Sequence, residues 1–263
     1  MKKDIRLIAV DLDNTLLRRD KSISDFTKSV FTQCREKGIV IAFATARSEK
    51  ASEQFMRQIV PDVIISNSGA LARRGAETLY LASIPNVTAQ KLVHYCVGSP
   101  EILQITLDSG NGYFNSLKFD SDSANPSHDY SHAITIDFAE QIDFGDVYKI
   151  VVRADDRQVM RNIAAFFPSV GVLSFTEDKV WHMLHSPAAT KGQALCAVAD
   201  ALNISIENVV AFGDDINDIE MLQNAGAGVA MSNAIEDVAA VADYICGDCD
   251  EDGVANWLAA NVL

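Results

Sequence analysis

Two aspartates one residue apart, Asp11 and Asp13, directly follow the apolar run Leu7–Val10, and Thr15 comes two positions later. Such a run predicts a strand buried on both faces, as in the parallel sheets of α/β proteins. Ligands of these sheets bind outside the carboxyl ends of the strands. Because neighbouring carboxylates repel each other unless a cation or a proton lies between them, the pair predicts a divalent metal site.

A second acidic cluster, with Asp214, Asp215 and Asp218, follows the apolar run Val209–Phe212. It repeats the arrangement of the first cluster, in which a buried strand ends in carboxylates. Taken alone, the cluster is also typical of a solvated helix start, because acids favour the positive end of the helix dipole. Together, the two clusters favour a shared Mg²⁺ ion, which prefers oxygen ligands.

A hydroxyl and an ammonium group lie between the acidic clusters, each at the end of a predicted element. Thr45 ends the apolar run Ile39–Thr45, and Lys191 lies at the start of a predicted helix. In phosphoryl transfer, a metal ion neutralises phosphate and carboxylates together, while hydroxyl, amide and ammonium groups bind the other phosphate oxygens. The set of residues therefore indicates phosphoryl transfer.

The elements that carry these residues alternate between strand and helix. Ser24 is the predicted N-cap of a helix that ends at Gly38, and Ser48 is the predicted N-cap of the next helix. The apolar runs Ile39–Thr45 and Val63–Ser66 predict the second and third strands. Successive strand–helix units predict an α/β fold with a doubly wound parallel sheet.

The sequence pattern changes from about Ala82. Leu103, Ile105 and Leu107 alternate with polar residues, which predicts a strand with one face in water. The segments that follow predict a Gly/Asn turn at 110–112, a polar loop at 120–131, a helix at 155–167 and a hairpin at 172–185. We expect residues 83–186 to form an inserted α+β domain, and residues 1–82 and 187–263 to form the main domain.

The composition disfavours several classes of function. The 263 residues carry a formal charge of −14, which argues against nucleic acid or an anionic membrane as the main partner. Five cysteines, an odd number, predict reduced thiols and a cytoplasmic location. We expect no signal peptide, since the amino terminus runs directly into the first strand, and no apolar run is long enough to span a bilayer.

Four motifs resemble, in order, those of the haloacid dehalogenase-like (HAD) hydrolase superfamily: Asp11–Thr15, Thr45, Lys191 and Gly213–Asp218. Five further segments resemble its Cof-type (IIB) phosphatases: Asn67–Ala70, Ile219–Leu222, Ala225–Ala234, Ala242–Ile245 and Glu251–Val254. The resemblance covers both halves of the main domain and is weaker over 83–186. It implies a Rossmann-like core with an inserted C2-type cap.

The same resemblance implies a role for each motif residue. Asp11 is the nucleophile that becomes phosphorylated, and Asp13 is the general acid/base. The implied phosphate- or substrate-binding residues are Leu12, Thr45, Ala46, Lys191 and Asn217. The implied Mg²⁺ ligands are Asp11, Asp13 through its backbone carbonyl, and Asp214, with Asp218 in support of the metal or of Lys191.

Three residues near the motifs need a separate interpretation. Asn14 and Ala46 stand where many relatives carry glycine, and we expect both positions to act through backbone geometry. Ala46 would narrow the phosphate pocket slightly. We expect Arg47 to pair with a carboxylate near the site.

The sequence thus predicts a Mg²⁺-dependent phosphomonoester hydrolase that acts on a small phosphorylated metabolite through an aspartyl-phosphate. A sugar phosphomutase or a sugar-phosphate-specific phosphatase of the same superfamily is the alternative. A phospho-aspartate signalling module or a non-catalytic binding protein is an alternative of another class, and Asp13 argues against signalling because an acid/base group promotes turnover. Sugar phosphates, nucleotides, flavin mononucleotide and pyridoxal phosphate stay open as substrates, as does the oligomeric state.

Overall fold

A computed structural model describes residues 4–116, 134–137, 143–174 and 180–263. The chain divides into two compact units, one formed by Met1–Leu81 with Thr190–Leu263 and the other by Ala82–Ala189. The predicted loop at 120–131 and residues 175–179 of the predicted hairpin lie outside the described residues. Within the described residues, no helix is long and apolar enough to cross a membrane.

The first unit begins with alternating strands and helices. Its first seven elements are β1 (Leu7–Val10), α1 (Asp25–Glu36), β2 (Val40–Ala44), α2 (Glu49–Met56), β3 (Val63–Ser66), β4 (Leu71–Arg74) and β5 (Glu77–Leu81). The predicted N-caps are confirmed, since Ser24 Oγ and Ser48 Oγ accept hydrogen bonds from backbone amides in the first turns of α1 and α2. The left-handed φ of +79° at Gly38 follows the end of α1, as predicted.

In its described residues, the second unit combines strands with two helices. Its elements are α3 (Asn86–Gly98), β6 (Ile102–Ser109), β7 (Gly112–Ser116), β8 (Ile134–Ile136), β9 (Val147–Ala154), α4 (Arg157–Phe166), β10 (Gly171–Ser174) and β11 (Trp181–His185). The chain then returns to the first unit with α5 (Lys191–Ala201), β12 (Val209–Gly213), α6 (Ile219–Asn224), β13 (Ala227–Ala230), α7 (Glu236–Val241), β14 (Tyr244–Ile245) and α8 (Gly253–Asn261).

The sheet of the first unit has the order β14-β13-β12-β1-β2-β3-β4-β5. The strands from β14 to β3 are parallel, and β4 and β5 add to the sheet antiparallel. Alternate residues of β1 enter two apolar clusters, Ile8 and Val10 with α1 and α8, and Leu7 and Ala9 with α5 and α6. Helices therefore cover both faces, and the predicted doubly wound parallel sheet is confirmed.

The sheet of the second unit has the order β10-β11-β9-β6-β7-β8. Its pairings are antiparallel, except that β8 lies parallel to β7. One face of the sheet forms an apolar cluster with α3 and α4. The predicted turn at 110–112 and the predicted helix at 155–167 are confirmed by the β6–β7 hairpin and by α4.

The prediction that the polar face of β6 is exposed to water is wrong. Leu103 is 41% exposed, whereas Gln104, Thr106 and Asp108 are buried. The register between β6 and β9 shifts between Ile102 and Gln104, so Leu103 has no partner residue in the ladder and turns outward. Polar alternation along a strand identifies its two faces, but it does not report whether the polar face is covered.

Candidate active site

Asp11 and Lys191 meet at the carboxyl edge of the parallel sheet. Asp11 directly follows β1, and Lys191 is the first residue of α5, whose N-cap is Thr190. Lys191 Nζ donates hydrogen bonds to Asp11 Oδ1 and Asp218 Oδ1, both at 2.7 Å. Because the Lys191 side chain is 1% exposed, this ammonium group joins the two predicted acidic clusters away from solvent.

The second acidic cluster is built by the turn after β12. Asp218 Oδ2 accepts hydrogen bonds from the backbone amides of Asp214 and Asp215, at 3.0 and 3.2 Å. A Cβ atom at Gly213 would lie 2.4 Å from Asp218 Cβ, so this turn requires glycine at that position. Thr15 Oγ1 donates a hydrogen bond of 2.8 Å to Asp214 Oδ1 and so connects the first motif to the last.

Three carboxylates converge at this point. One oxygen each of Asp11, Asp214 and Asp218 lies within 4.8 Å of the others. If all three carboxylates are ionised, the one positive charge of Lys191 leaves two negative charges uncompensated. Hard oxygen ligands with this excess charge fit a divalent cation such as Mg²⁺.

The electrostatics of the cluster agree with such a cation. Burial raises the pKa of Asp11 well above its usual value, and Asp218 and Asp214 raise it further against the attraction of Lys191. Burial and Asp218 raise the pKa of Asp214 to about 7. Burial would lower the pKa of Lys191, but Asp11 and Asp218 outweigh it and raise that pKa. In the absence of a metal ion, the cluster therefore favours proton uptake by its carboxylates.

The Asp13 carboxylate belongs to a different set of contacts. Arg47 holds it in a two-point pair, with Nε 2.7 Å from Oδ2 and Nη2 2.7 Å from Oδ1, and Lys21 Nζ lies 2.9 Å from Oδ1. The predicted pairing of Arg47 with a carboxylate is confirmed. Burial would raise the pKa of Asp13, but Arg47 and Lys21 outweigh it and lower that pKa to about 2. Asp13 is therefore ionised in this conformation.

Thr45 lies at the end of β2, fully buried, and its backbone is fixed on both sides. Its amide donates to Ile65 O at 2.8 Å, and its carbonyl accepts from Ser68 N at 3.0 Å. Thr45 Oγ1 accepts a hydrogen bond of 3.1 Å from Arg47 N. Ala46, between these residues, is half-buried. The turn after β2 thus holds the predicted phosphate-binding hydroxyl and the partner of Asp13 in one hydrogen-bonded segment.

The structure gives less direct support for a site role of the remaining predicted residues. Leu12 buries its side chain in the apolar core, which leaves only its backbone to contact a ligand. Asn217 is half-buried on the 3₁₀ turn Ile216–Asp218, and within the described residues no hydrogen bond joins its side chain to the carboxylates. Asn14 has a left-handed φ of +55°, which explains why glycine suits this position and why asparagine is tolerated.

The structure shows two contacts within the site that the sequence did not reveal. Thr15 was part of the first motif, but its hydrogen bond to Asp214 joins residues far apart in the chain. Lys21 reaches Asp13 from a turn in which its own φ is +66°. The only signal for Thr15 was its place in the motif, and no spacing rule identifies Lys21.

Residues 8–258 match the family of haloacid dehalogenase-like hydrolases. This chain belongs to that family. The match includes both acidic clusters, Thr45 and Lys191, so the resemblance stated from the motifs is confirmed.

Two relatives of similar sequence are phosphatases. The chain is 28% identical to the 5-amino-6-(5-phospho-D-ribitylamino)uracil phosphatase YcsE of Bacillus subtilis, over 99% of this chain and 97% of the relative. It is 27% identical to the pyridoxal phosphate phosphatase YbhA of Escherichia coli, over 98% and 99%. The fold is similar to that of the HAD subclass IIB sugar phosphatase BT4131, with a TM-score of 0.83, 23% identity, and 97% and 98% of the two chains covered. The predicted HAD-type phosphatase with a Rossmann-like core is confirmed at the level of the family.

Proposed function

We propose that this HAD hydrolase is a Mg²⁺-dependent phosphomonoesterase that works through a phosphorylated Asp11. The observation that supports this most directly is the convergence of three carboxylates on one buried ammonium group, at the carboxyl edge of the sheet. A purely structural ion pair would need neither the third carboxylate nor the uncompensated charge, which destabilises the folded state.

The proposed reaction has two steps. Asp11 attacks the phosphorus atom, the bond to the ester oxygen breaks, and the departing oxygen takes a proton from Asp13. Asp13 then removes a proton from a water molecule, which attacks the same phosphorus atom and releases phosphate from Asp11. Lys191 and Thr45 hold the phosphoryl oxygens in place during both steps.

Asp11, Asp214 and the backbone carbonyl of Asp13 are the proposed ligands of Mg²⁺, with Asp218 in support. The bound ion supplies the positive charge that lets a phosphate approach a cluster of carboxylates. This assignment explains why the carboxylate of Asp13 need not join the others, since its side chain is engaged by Arg47.

The acid role of Asp13 requires a change of partner. Held by Arg47 and Lys21, the carboxylate has a pKa of about 2 and carries no proton to donate. For the first step Asp13 must exchange these cations for a proton, whereas for the second step the ionised form is already the required base. We therefore propose that release of Asp13 from Arg47 accompanies substrate binding.

The proposed substrate is a small phosphorylated metabolite. The names of relatives refer to a ribityl-uracil phosphate, to pyridoxal phosphate and to HMP-PP, so the family context does not single out one compound. We assign residues 83–186 the role of a cap that selects the substrate and performs no chemistry. Cys34, Cys96, Cys196, Cys246 and Cys249 are all free thiols, which supports the proposed cytoplasmic location.

A phosphate-release screen over a broad panel of phosphomonoesters tests the proposal. We expect release in the presence of Mg²⁺, its loss after exhaustive chelation, and its recovery when Mg²⁺ is returned. Analysis of the organic product separates hydrolysis from a mutase, which would return an isomeric phosphate ester. Undiminished release after chelation would contradict the metal assignment, and a phosphorylated state that persists for hours would favour signalling.

A further inference from the structure

The segment Asn67–Gly69, which follows β3, has an unusual backbone. Its three residues have positive φ angles of +51°, +58° and +97°. Glycine adopts such angles freely, but the left-handed conformation costs an L-residue about 1–2 kcal/mol. Strain of this kind persists where the surroundings enforce it, and it is concentrated at functional sites. Ser68 therefore needs an explanation that Gly69 does not, whereas Asn67 adds less strain because asparagine tolerates a positive φ better than most L-residues.

Contacts place this segment between two proposed phosphate-binding residues. Ser68 N donates to Thr45 O at 3.0 Å, and Asn67 N donates to Arg47 O at 2.8 Å. On the other side, the position of a Cβ atom on Gly69 would be 2.6 Å from Lys191 N. The segment is thus in backbone contact with the turn that carries Thr45 and with the helix start that carries Lys191.

Two polar atoms of this segment are buried without a partner. Asn67 and Ser68 are 2% and 4% exposed, and in the part of the chain that the structure describes neither Asn67 Oδ1 nor Ser68 Oγ makes a hydrogen bond. Such an atom costs about 1–3 kcal/mol relative to one that is hydrogen-bonded. Native proteins contain few of them. Strain and unmet hydrogen bonds therefore coincide in the same two residues, next to the turn that carries Thr45 and the helix start that carries Lys191.

We propose that Asn67 and Ser68 form a further substrate subsite, an inference that rests on the proposed phosphatase function. A phosphate dianion only accepts hydrogen bonds, so the Ser68 hydroxyl donates to a phosphoryl oxygen. Asn67 Oδ1 also only accepts hydrogen bonds, so this atom cannot bind the phosphate dianion. Instead, it accepts a hydrogen bond from a donor group on the leaving group. The subsite therefore selects phosphomonoesters that carry a hydroxyl or amino group close to the ester oxygen.

Glycine substitutions separate this role from a structural one. Asn67→Gly and Ser68→Gly remove the side chain and keep a residue that favours positive φ. We expect both variants to match or exceed the unfolding midpoint of the wild-type protein in urea, because strain and unpaired atoms disappear. Asn203→Gly is the matched control, since Asn203 is an exposed asparagine of the same unit with a φ of +54°. It should show the same relief of strain with unchanged kcat/KM.

Inorganic phosphate is the probe for Ser68. Hydrogen bonds to charged groups contribute enough that Ser68→Gly should weaken competitive inhibition by phosphate on the order of 10- to 100-fold. Phosphate should also raise the Tm of this variant less than that of the wild-type protein. An unchanged inhibition constant and an unchanged Tm shift would overturn the role of Ser68.

Three small esters test Asn67: ethyl phosphate, 2-hydroxyethyl phosphate and 2-aminoethyl phosphate. We expect Asn67→Gly to lower kcat/KM for the hydroxyl or the amino ester about 2- to 10-fold relative to ethyl phosphate. The ester that loses more identifies the donor that Asn67 accepts. Equal ratios in the variant and the wild-type protein, or activity loss that follows a loss of stability, would overturn the role of Asn67.

Failure of the subsite and failure of the proposed function give different results. A wild-type protein that hydrolyses no ester overturns the proposed function. In that case the phosphate-induced rise of Tm still decides the subsite: its loss in Ser68→Gly supports the proposal, and its retention overturns it.

Discussion

Gly69→Ala tests how closely the segment after β3 packs against the start of α5. A Cβ atom at residue 69 would lie 2.2 Å from both the carbonyl carbon and the oxygen of Thr190, and 2.6 Å from Lys191 N. These are backbone atoms, so the structure must shift, at a cost of about 1–3 kcal/mol. The φ of +97° adds about 1–2 kcal/mol for an L-residue. We expect the free energy of unfolding to fall by about 2–5 kcal/mol.

Gly38→Ala is the matched control for this prediction. Gly38 also has a positive φ, +79°, but a Cβ atom there would meet nothing within 4 Å. Urea unfolding of both variants therefore isolates the packing cost at Gly69. Since that cost arises at the helix start that positions Lys191, kcat/KM should fall in Gly69→Ala and stay unchanged in Gly38→Ala. Equal unfolding midpoints and equal kinetics for the two variants would refute the reasoning.

Three further perturbations address the charges and the second unit. In metal-free protein the pKa of Asp214 is raised to about 7, so between about pH 4 and pH 7 the folded state keeps a proton that the unfolded carboxyl loses. Urea unfolding should therefore show that stability falls as the pH rises through this range. Bound Mg²⁺ should reduce this slope. Lys191→Met leaves three carboxylates without their ammonium group, and we expect the free energy of unfolding to fall by about 3–5 kcal/mol. This fall should be smaller in acid than in mild alkali, and an equal fall at both pH values would contradict the charge argument. Gln104→Leu removes a buried carboxamide whose Nε2 and Oε1 have no hydrogen-bond partner within the described residues. It should raise the unfolding midpoint and, if the second unit selects the substrate, change the ranking of kcat/KM across the ester panel.

The parallel sheet and its site residues were predictable because the burial of each strand follows from its own sequence pattern. The run Leu7–Val10 has no polar position, which fits a strand covered on both faces, and the carboxylates after it must lie at the carboxyl edge. Helix starts were equally readable, since Ser24 and Ser48 act through hydrogen bonds three residues along the chain. These features depend on local sequence and on the regular geometry of parallel sheets.

Features that depend on distant neighbours were not predictable. The pairing of Asp13 with Lys21 follows from a turn whose geometry no motif encodes. The outward turn of Leu103 follows from a register shift against β9, a strand more than forty residues away. The left-handed Asn67 and Ser68 are held by the turn after β2, so the sequence of their own segment does not reveal their strain. In each case the cause is tertiary contact.

The central claim is that Asp11 carries the phosphoryl group, and a rapidly quenched reaction of Asp13→Asn with a nitrophenyl phosphate tests it most directly. Nitrophenolate leaves without protonation, so Asp11 should be phosphorylated while hydrolysis, which needs the missing base, slows by about 10²–10⁴-fold. We predict one burst of nitrophenolate per protein molecule and, by mass spectrometry, phosphate on the peptide that contains Asp11. Turnover near the wild-type rate, or phosphate on a residue other than Asp11, would contradict the account.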